Sequence, residues 1–171
     1  MSRKKIGFFG GCFNPPSNIH INLANRLIEE QKLDKIVFVP VNDFYKKNDL
    51  IEFKHRFTML KFAIEGNSNL EVDDFEFKEN RKLYAIDVFK IIEEKYSNYD
   101  IYFIMGSDNY SKLQKWKEYE SLKKYKYIVL DRNDNDISST KIRNMIKKNS
   151  LKDDILNKKV YEYIKKNKLY L

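Results

Sequence analysis

The chain of 171 residues has one cysteine, two histidines, three prolines, five glycines and one tryptophan. A single cysteine, Cys12, excludes an internal disulfide and a cysteine-rich zinc site. It also fits a reducing compartment, so a cytoplasmic location is expected. The scarcity of glycine and proline leaves no Gly/Ser/Pro-rich linker, and there is no internal repeat. One domain spanning residues 1–171 is the simplest account; a chain of this length buries about two-thirds of its unfolded surface. No apolar run approaches transmembrane length. The opening "MSRKKIGFFGGCF" resembles a secretory leader only superficially: its apolar part is short, two glycines and Pro15-Pro16 interrupt it, and no small-residue cleavage pattern follows.

What the chain has is aromatic and basic. Twelve Phe, twelve Tyr and the tryptophan supply core volume and argue against disorder. Against 25 acidic residues stand 33 basic ones, a net charge of +8. Such a balance favours anionic partners, from nucleic acid to phosphorylated small molecules. The lysines are scattered over helix exteriors rather than gathered in one stripe, so no nucleic-acid partner and no membrane are expected.

Apolar runs alternate with helical periods. "KIGFF", "KIVFVP", "NLEVDDF", "DIYFIMG" and "YKYIVLDR" read as strands. Between them, Ile19, Leu23, Ala24, Leu27 and Ile28 share a helical face, as do Phe53, Phe57, Leu60, Ala63 and Ile64. A helix over Ala85 to Tyr96 carries Val88, Phe89 and Ile92. "SSTKIRNMIKK" and "ILNKKVYEYIKKN" close the chain as helices. This order predicts an α/β fold: a Rossmann-like, doubly wound parallel sheet of about five strands with flanking helices. Such sheets bind ligands beyond their carboxyl ends. The chemically interesting residues fall there: Gly10-Gly11-Cys12, Val41-Asn42-Asp43, Gly106-Ser107-Asp108 and Asp131-Arg132.

Two stretches suggest phosphate chemistry. In "IGFFGGCFNPPSNIH", glycines after a strand admit a phosphate close to main-chain N–H groups, and Ser17 is a good N-cap for a helix whose first turn holds His20. An ordinary turn before a capped helix explains the same residues equally well. In "NDISSTKIRNMIKK", Ser138, Ser139 and Thr140 make a hydroxyl-rich helix start with Lys141 and Arg143 in its first turn, which suits a polyphosphate. A plain N-cap with Ile142, Met145 and Ile146 turned inward is the alternative. "VPVNDFYKKN" offers Lys46 and Lys47 on a loop. "FIMGSDNYSKLQKWKEY" offers Asp108 as an acceptor and Trp116 as a stacking surface, or simply as a core anchor.

Together and in this order the stretches resemble the nicotinamide/nicotinate mononucleotide adenylyltransferases of the T/H-x-G-H nucleotidyltransferase superfamily. "GGCFNPPSNIH" is similar to the family's first signature and "DISSTKIR" to its second. "VPVNDFYKKNDLIEFKHR" is similar to the eukaryotic-type loop after the second strand, and the closing "YIKKNKLYL" to the C-terminal helix. The resemblance implies transfer of AMP from ATP to a pyridine mononucleotide with release of pyrophosphate. It implies catalytic roles for His20, Lys47 and Arg143 on the ATP phosphates. Gly10, Gly11, Cys12, Phe13 and Asn14 would line the nucleotide crevice, with Lys46 as an alternative to Lys47. Gly106, Asp108 and Arg132 would contact the nucleotides, Trp116 would stack on the pyridine ring, and Ser138, Ser139 and Thr140 would hold phosphate. Mg²⁺ would be carried mainly by the substrate phosphates, with no dedicated protein site. The chain departs from the family at Cys12, Ser17 and Ile19, at Tyr84-Ala85 where bacterial members have Tyr-Thr, and in a short Asn133–Ile137 segment. Acid and amide substrates both stay open at this level. So do another phosphorylated acceptor (phosphopantetheine or a polyol phosphate) and a nucleotide-binding relative without turnover.

Overall fold

The computed structural model describes residues 2–131 and 137–171. Five strands form one all-parallel sheet in the order β3-β2-β1-β4-β5: β1 Lys5–Gly11, β2 Lys35–Pro40, β3 Leu70–Val72, β4 Asp100–Gly106 and β5 Lys126–Leu130. The helices are α1 Asn18–Gln31, α2 Phe53–Ala63, α3 Phe75–Glu79, α4 Ala85–Lys95, α5 Ser107–Tyr110, α6 Tyr119–Leu122, α7 Ser139–Lys147 and α8 Lys158–Lys166, with a 3₁₀ turn at Leu113–Lys115. The strand order reverses direction between β1 and β4, and in such sheets the crevice opens at that switch point.

The strands are buried on both faces, so their side chains sort by parity. Ile6, Phe8, Val37, Val39 and Phe103 point to one face, where Ile86, Phe89 and Ile92 of α4 cover them together with Phe75, Leu113 and Leu122. Ile36, Phe38, Ile104 and Ile128 point to the other, against Ala24 and Leu27 of α1 and Leu60 of α2. A third cluster stacks α7 and α8 on the far side of α2 through Met59, Ile142, Ile146, Val160 and Ile164. The expected doubly wound architecture is therefore present.

Gly7 lies mid-strand where no side chain fits. A Cβ there would stand 2.9 Å from Ile104 Cδ1, 3.0 Å from Leu33 Cδ1 and 3.2 Å from Ile36 Cγ1. Gly7→Ala is expected to overpack this face and cost about 1–3 kcal/mol in urea unfolding. A loss below about 0.5 kcal/mol would show that the three neighbours yield freely.

Three boundaries differ from the sequence reading. "NLEVDDF" is a strand only over Leu70–Val72. Asp73 turns the chain, its carboxylate accepting the Phe75 N–H (3.0 Å), so Phe75 opens α3 and is not part of the strand. Gly10 and Gly11 are the last residues of β1, not a turn after it, because Val39 and Pro40 still pair with them. The last helix begins only at Lys158, after Asn157 caps it by accepting from Lys159 N–H (2.8 Å); Ile155 and Leu156 are buried ahead of it.

Candidate active site

The carboxyl ends of β1 and β2 are knotted by one buried cation. Arg56 of α2 is wholly buried. Its Nη1 donates to the Cys12 carbonyl (3.0 Å), its Nε to the Ile51 carbonyl (2.8 Å) and its Nη2 to Asp43 Oδ1 (3.2 Å). Asp43 Oδ1 also accepts the Phe53 N–H (2.7 Å). Burial pulls the Arg56 pKa down while Asp43 holds it up. The Val41 N–H donates to the Gly11 carbonyl (3.0 Å), stitching the two strand ends directly. Sequence reading missed Arg56, although a signal was present: it falls on the apolar stripe of α2 between Phe53 and Leu60.

Asn14 is the second knot and is almost wholly buried. Its Nδ2 donates to the Asp49 carbonyl (2.7 Å), its Oδ1 accepts the Tyr170 hydroxyl (2.7 Å) and its carbonyl accepts Arg143 Nη1 (2.9 Å). The Asn14 side chain is thus engaged inside the protein. It fastens the Lys46-Lys47 loop to the first signature and the first signature to α7. Lys46 and Lys47 are exposed on that loop, beside an open pocket of about 440 Å³ that Tyr45, Asn48 and Leu50 also line. Among the described residues neither lysine forms an ion pair.

His20 occupies the third helical position after the N-cap Ser17. Its Nδ1 accepts the Ser17 main-chain N–H (3.0 Å) and lies 3.1 Å from Ser17 Oγ. The imidazole takes the place a Glu or Gln fills in a capping box. Since Nδ1 receives a proton donor, the neutral ring carries its own proton on Nε2. Burial lowers the His20 pKa to about 4, so the ring is neutral near pH 7 and Nε2–H is a fixed donor. Phe13 flanks it edge-on, with ring centres 5.3 Å apart. The Phe13 ring itself is core, so only its main chain is left for a ligand. The α1 N-terminus is less free than expected: Asn18 N–H donates to the Ile155 carbonyl (2.9 Å).

Across from this, Ser138 caps α7 by accepting Lys141 N–H (3.3 Å), and Thr140 Oγ1 accepts Arg143 Nη2 (3.3 Å). The guanidinium of half-buried Arg143 has five N–H donors, of which these two contacts use two. The first and second signatures, 129 residues apart at Asn14 and Arg143, are in direct contact.

At the end of β4, Gly106 leaves room for Asp108, whose Oδ1 would lie 2.6 Å from a Cβ placed there. Half-buried Trp116 packs on the core cluster that contains Ile86, Phe89 and Leu113. Exposed Tyr84 lies under two lysines, Lys117 (4.5 Å) and Lys82 (5.1 Å). Arg132 falls outside the described residues. Among the described residues no group of three or more His, Cys, Asp or Glu side chains forms a metal site, and no helix is long and apolar enough to cross a membrane.

Buried Glu76 holds the loop after β2 from the other side. Its carboxylate accepts the Asn42 N–H (2.9 Å), while Asn42 Nδ2 donates to the carbonyls of Glu76 and Arg81. Burial pushes the Glu76 pKa up to about 7, against the opposing pull of Asn42 N–H and Arg56. A carboxyl whose folded pKa is raised holds its proton more tightly when folded, so its contribution to stability falls as pH rises from about 4.5 to 7. Glu76→Gln is therefore expected to melt higher relative to wild type at pH 8 than at pH 5, by up to roughly 3 kcal/mol for that displacement. Melting curves of both proteins across pH 4.5–8.5 check this; a constant difference would contradict it.

The Cytidylyltransferase-like family profile matches residues 8–145. Over 188 aligned residues the chain is 35% identical to the Lactococcus lactis protein named "Probable nicotinate-nucleotide adenylyltransferase", covering 99% of this chain and 96% of that one. It is 30% identical over 186 residues to the nicotinate-nucleotide adenylyltransferase of Bacillus subtilis, covering 98% of each. The fold is also that of the Plasmodium falciparum nicotinic acid mononucleotide adenylyltransferase complexed with NaAD, with a TM-score of 0.75, 22% identity and 98% and 97% coverage. The fold, the two signatures that meet at Asn14 and Arg143, and these relatives define a nucleotidyltransferase. Within that class, the chain belongs to the nicotinate-nucleotide adenylyltransferase family.

Proposed function

We propose that nicotinate mononucleotide is the preferred acceptor and that His20, Lys47 and Arg143 handle the phosphates of ATP. In the reaction a phosphate oxygen of the mononucleotide attacks the α-phosphorus of ATP. The bond from that phosphorus to its β-bridging oxygen breaks, giving deamido-NAD and pyrophosphate. The acceptor supplies its own nucleophile, so the protein's part is positioning and charge stabilisation. His20 Nε2–H donates without a proton to lose near neutral pH. Arg143 offers its remaining guanidinium donors, and Lys47, with Lys46 beside it, brings positive charge on a loop anchored through Asp49. Ser138, Ser139 and Thr140 add hydroxyls at the α7 N-terminus, and the main chain of Gly10–Phe13 forms the floor.

Mg²⁺ suits this arrangement through ATP. Among the described residues the site is cationic and has no cluster of carboxylates, and a small hard cation is held well by phosphate oxygens and water. When bound there it would neutralise charge on the transferring phosphates. Gly106 and Asp108 are assigned to nucleotide contacts and Trp116 to the pyridine ring. A cytoplasmic location belongs to the same reading.

The observation that carries the proposal is the Arg143–Asn14 contact, which puts both signatures at one place. The acceptor preference has its own support. The relatives named above are nicotinate-nucleotide enzymes. Lys82 and Lys117, the latter following Trp116 in the chain, lie over Tyr84 and make a positive field that suits a carboxylate better than a neutral amide. A coupled assay offering each mononucleotide separately with ATP and Mg²⁺ tests this. Nicotinate mononucleotide should be used with at least about tenfold higher kcat/KM, equivalent to roughly 1.4 kcal/mol. Preference for the amide would overturn the acceptor assignment, and no pyrophosphate from either would overturn the activity.

A further inference from the structure

The last residues of the chain reach the first signature, and nothing in the proposed chemistry accounts for this. Tyr170 is the penultimate residue. It sits in the left-handed region (φ 63°), as does Lys168 (φ 52°), so the chain after α8 curls back. Leu169 is buried in the α7–α8 cluster and anchors the turn. The Tyr170 hydroxyl then meets Asn14 Oδ1 at 2.7 Å. We infer that Tyr170 is a positioning residue for ATP, acting through Asn14 on Arg143 and on the Lys46-Lys47 loop.

The argument concerns the orientation of one amide. A buried asparagine side chain is correct in only one of two flips. Asn14 must present Nδ2 to the Asp49 carbonyl to hold the lysine loop. The Asp49 carbonyl, an acceptor only, sets that flip, and the Tyr170 hydroxyl completes it by donating to the Oδ1 left on the other side. Without it, Oδ1 would be buried and unpaired, a state that costs more than an ordinary hydrogen bond contributes. The amide would then turn or shift to find a donor. Asp49 and the Asn14 carbonyl would shift with it, and the carbonyl is what Arg143 Nη1 holds. Tyr170 also stays protonated: burial raises its pKa, outweighing the nearby Arg143 and Arg56, so it remains a donor throughout the working pH range. The inference rests on the assignment of Arg143 and Lys47 to ATP phosphate.

Tyr170→Phe removes the hydroxyl and keeps the ring, so folding is preserved. Titration calorimetry with Mg·ATP and, separately, with nicotinate mononucleotide should show ATP binding weakened about tenfold and mononucleotide binding within twofold of wild type. In an Asn14→Ala background the same change should have no further effect on ATP affinity. Unchanged ATP affinity, or equal weakening towards both ligands, would overturn the inference. So would a full tenfold effect that persists without Asn14. Because binding is read apart from turnover, a wild-type protein that binds ATP but releases no pyrophosphate would sink the activity and leave this test intact.

Discussion

Arg143→Ala and His20→Ala should each lower kcat by on the order of 10²–10³, the loss typical of removing one preorganised donor. The two failures differ in kind. On the proposed assignment Arg143 acts as a fork: Nη1 is braced on the Asn14 carbonyl and Nη2 on Thr140 Oγ1, and its remaining N–H groups would meet a phosphate. Arg143→Lys keeps the charge but cannot be braced and bind phosphate at once, so it should recover only part of the loss. On the same assignment His20 would act as a neutral donor, its tautomer set by the Ser17 N–H on Nδ1. Its folded pKa of about 4 lies below the ordinary 6.5. The unfolded chain therefore binds the proton more readily between those values. The contribution of His20 to stability is complete above about pH 6.5 and is lost as pH falls toward 4. In the activity profile no limb near pH 6.5 should belong to His20. Steady-state kinetics from pH 5 to 8.5 decide the matter. Near-wild-type turnover for both alanine variants would remove these roles, and a limb near pH 6.5 absent from His20→Gln would contradict the neutral-donor reading.

The strands and the long helices were legible because each carries its own periodicity. "KIVFVP" and "DIYFIMG" are continuous apolar runs that only a sheet covered on both faces can bury. The helix starts of the two signatures are legible because N-cap chemistry is local: Ser17 and Ser138 announce them, and His20 and Arg143 follow at fixed distances. What was hidden is what distant residues do to one another. Phe75 reads as the end of the third strand, yet Asp73 turns the chain by accepting the Phe75 N–H and α3 starts there. Asn14 looked like a ligand contact because the motif places it beside the glycines. Its three partners, Asp49, Arg143 and Tyr170, come from 35, 129 and 156 residues away, which no local pattern encodes. Arg56 gave a partial signal, a cation on an apolar stripe, but its partners are two carbonyls and a carboxylate that only the packed sheet brings within reach.

Arg56→Met should cost about 3–5 kcal/mol of stability, roughly the sum for two buried carbonyls left without donors and a large share of the roughly 5–15 kcal/mol a domain possesses. Methionine matches the bulk of the arginine stem, so cavity formation contributes little. The loss comes from polar groups left behind. The Cys12 and Ile51 carbonyls lose their donors at the point where β1, the lysine loop and α2 converge. Asp43 loses its ion pair, but its half-exposed carboxylate can rehydrate and keeps the Phe53 N–H. Arg56→Lys retains the cation and can reach one of the three acceptors well, so it should fall between the two. For a chain of this size, 3–5 kcal/mol corresponds to a drop in Tm of about 10 °C. A function-specific signature should accompany it. Assayed well below its own Tm, Arg56→Met should show a raised KM for ATP, because Cys12 and Asp43 frame the proposed nucleotide floor and the lysine loop, while KM for the mononucleotide changes less. Urea unfolding and the two Michaelis constants, measured on the same preparations, separate the effects. A stability loss under 1 kcal/mol would mean that water replaces the guanidinium at this junction. An unchanged KM for ATP in a destabilised variant would mean that Arg56 holds the fold together without shaping the site.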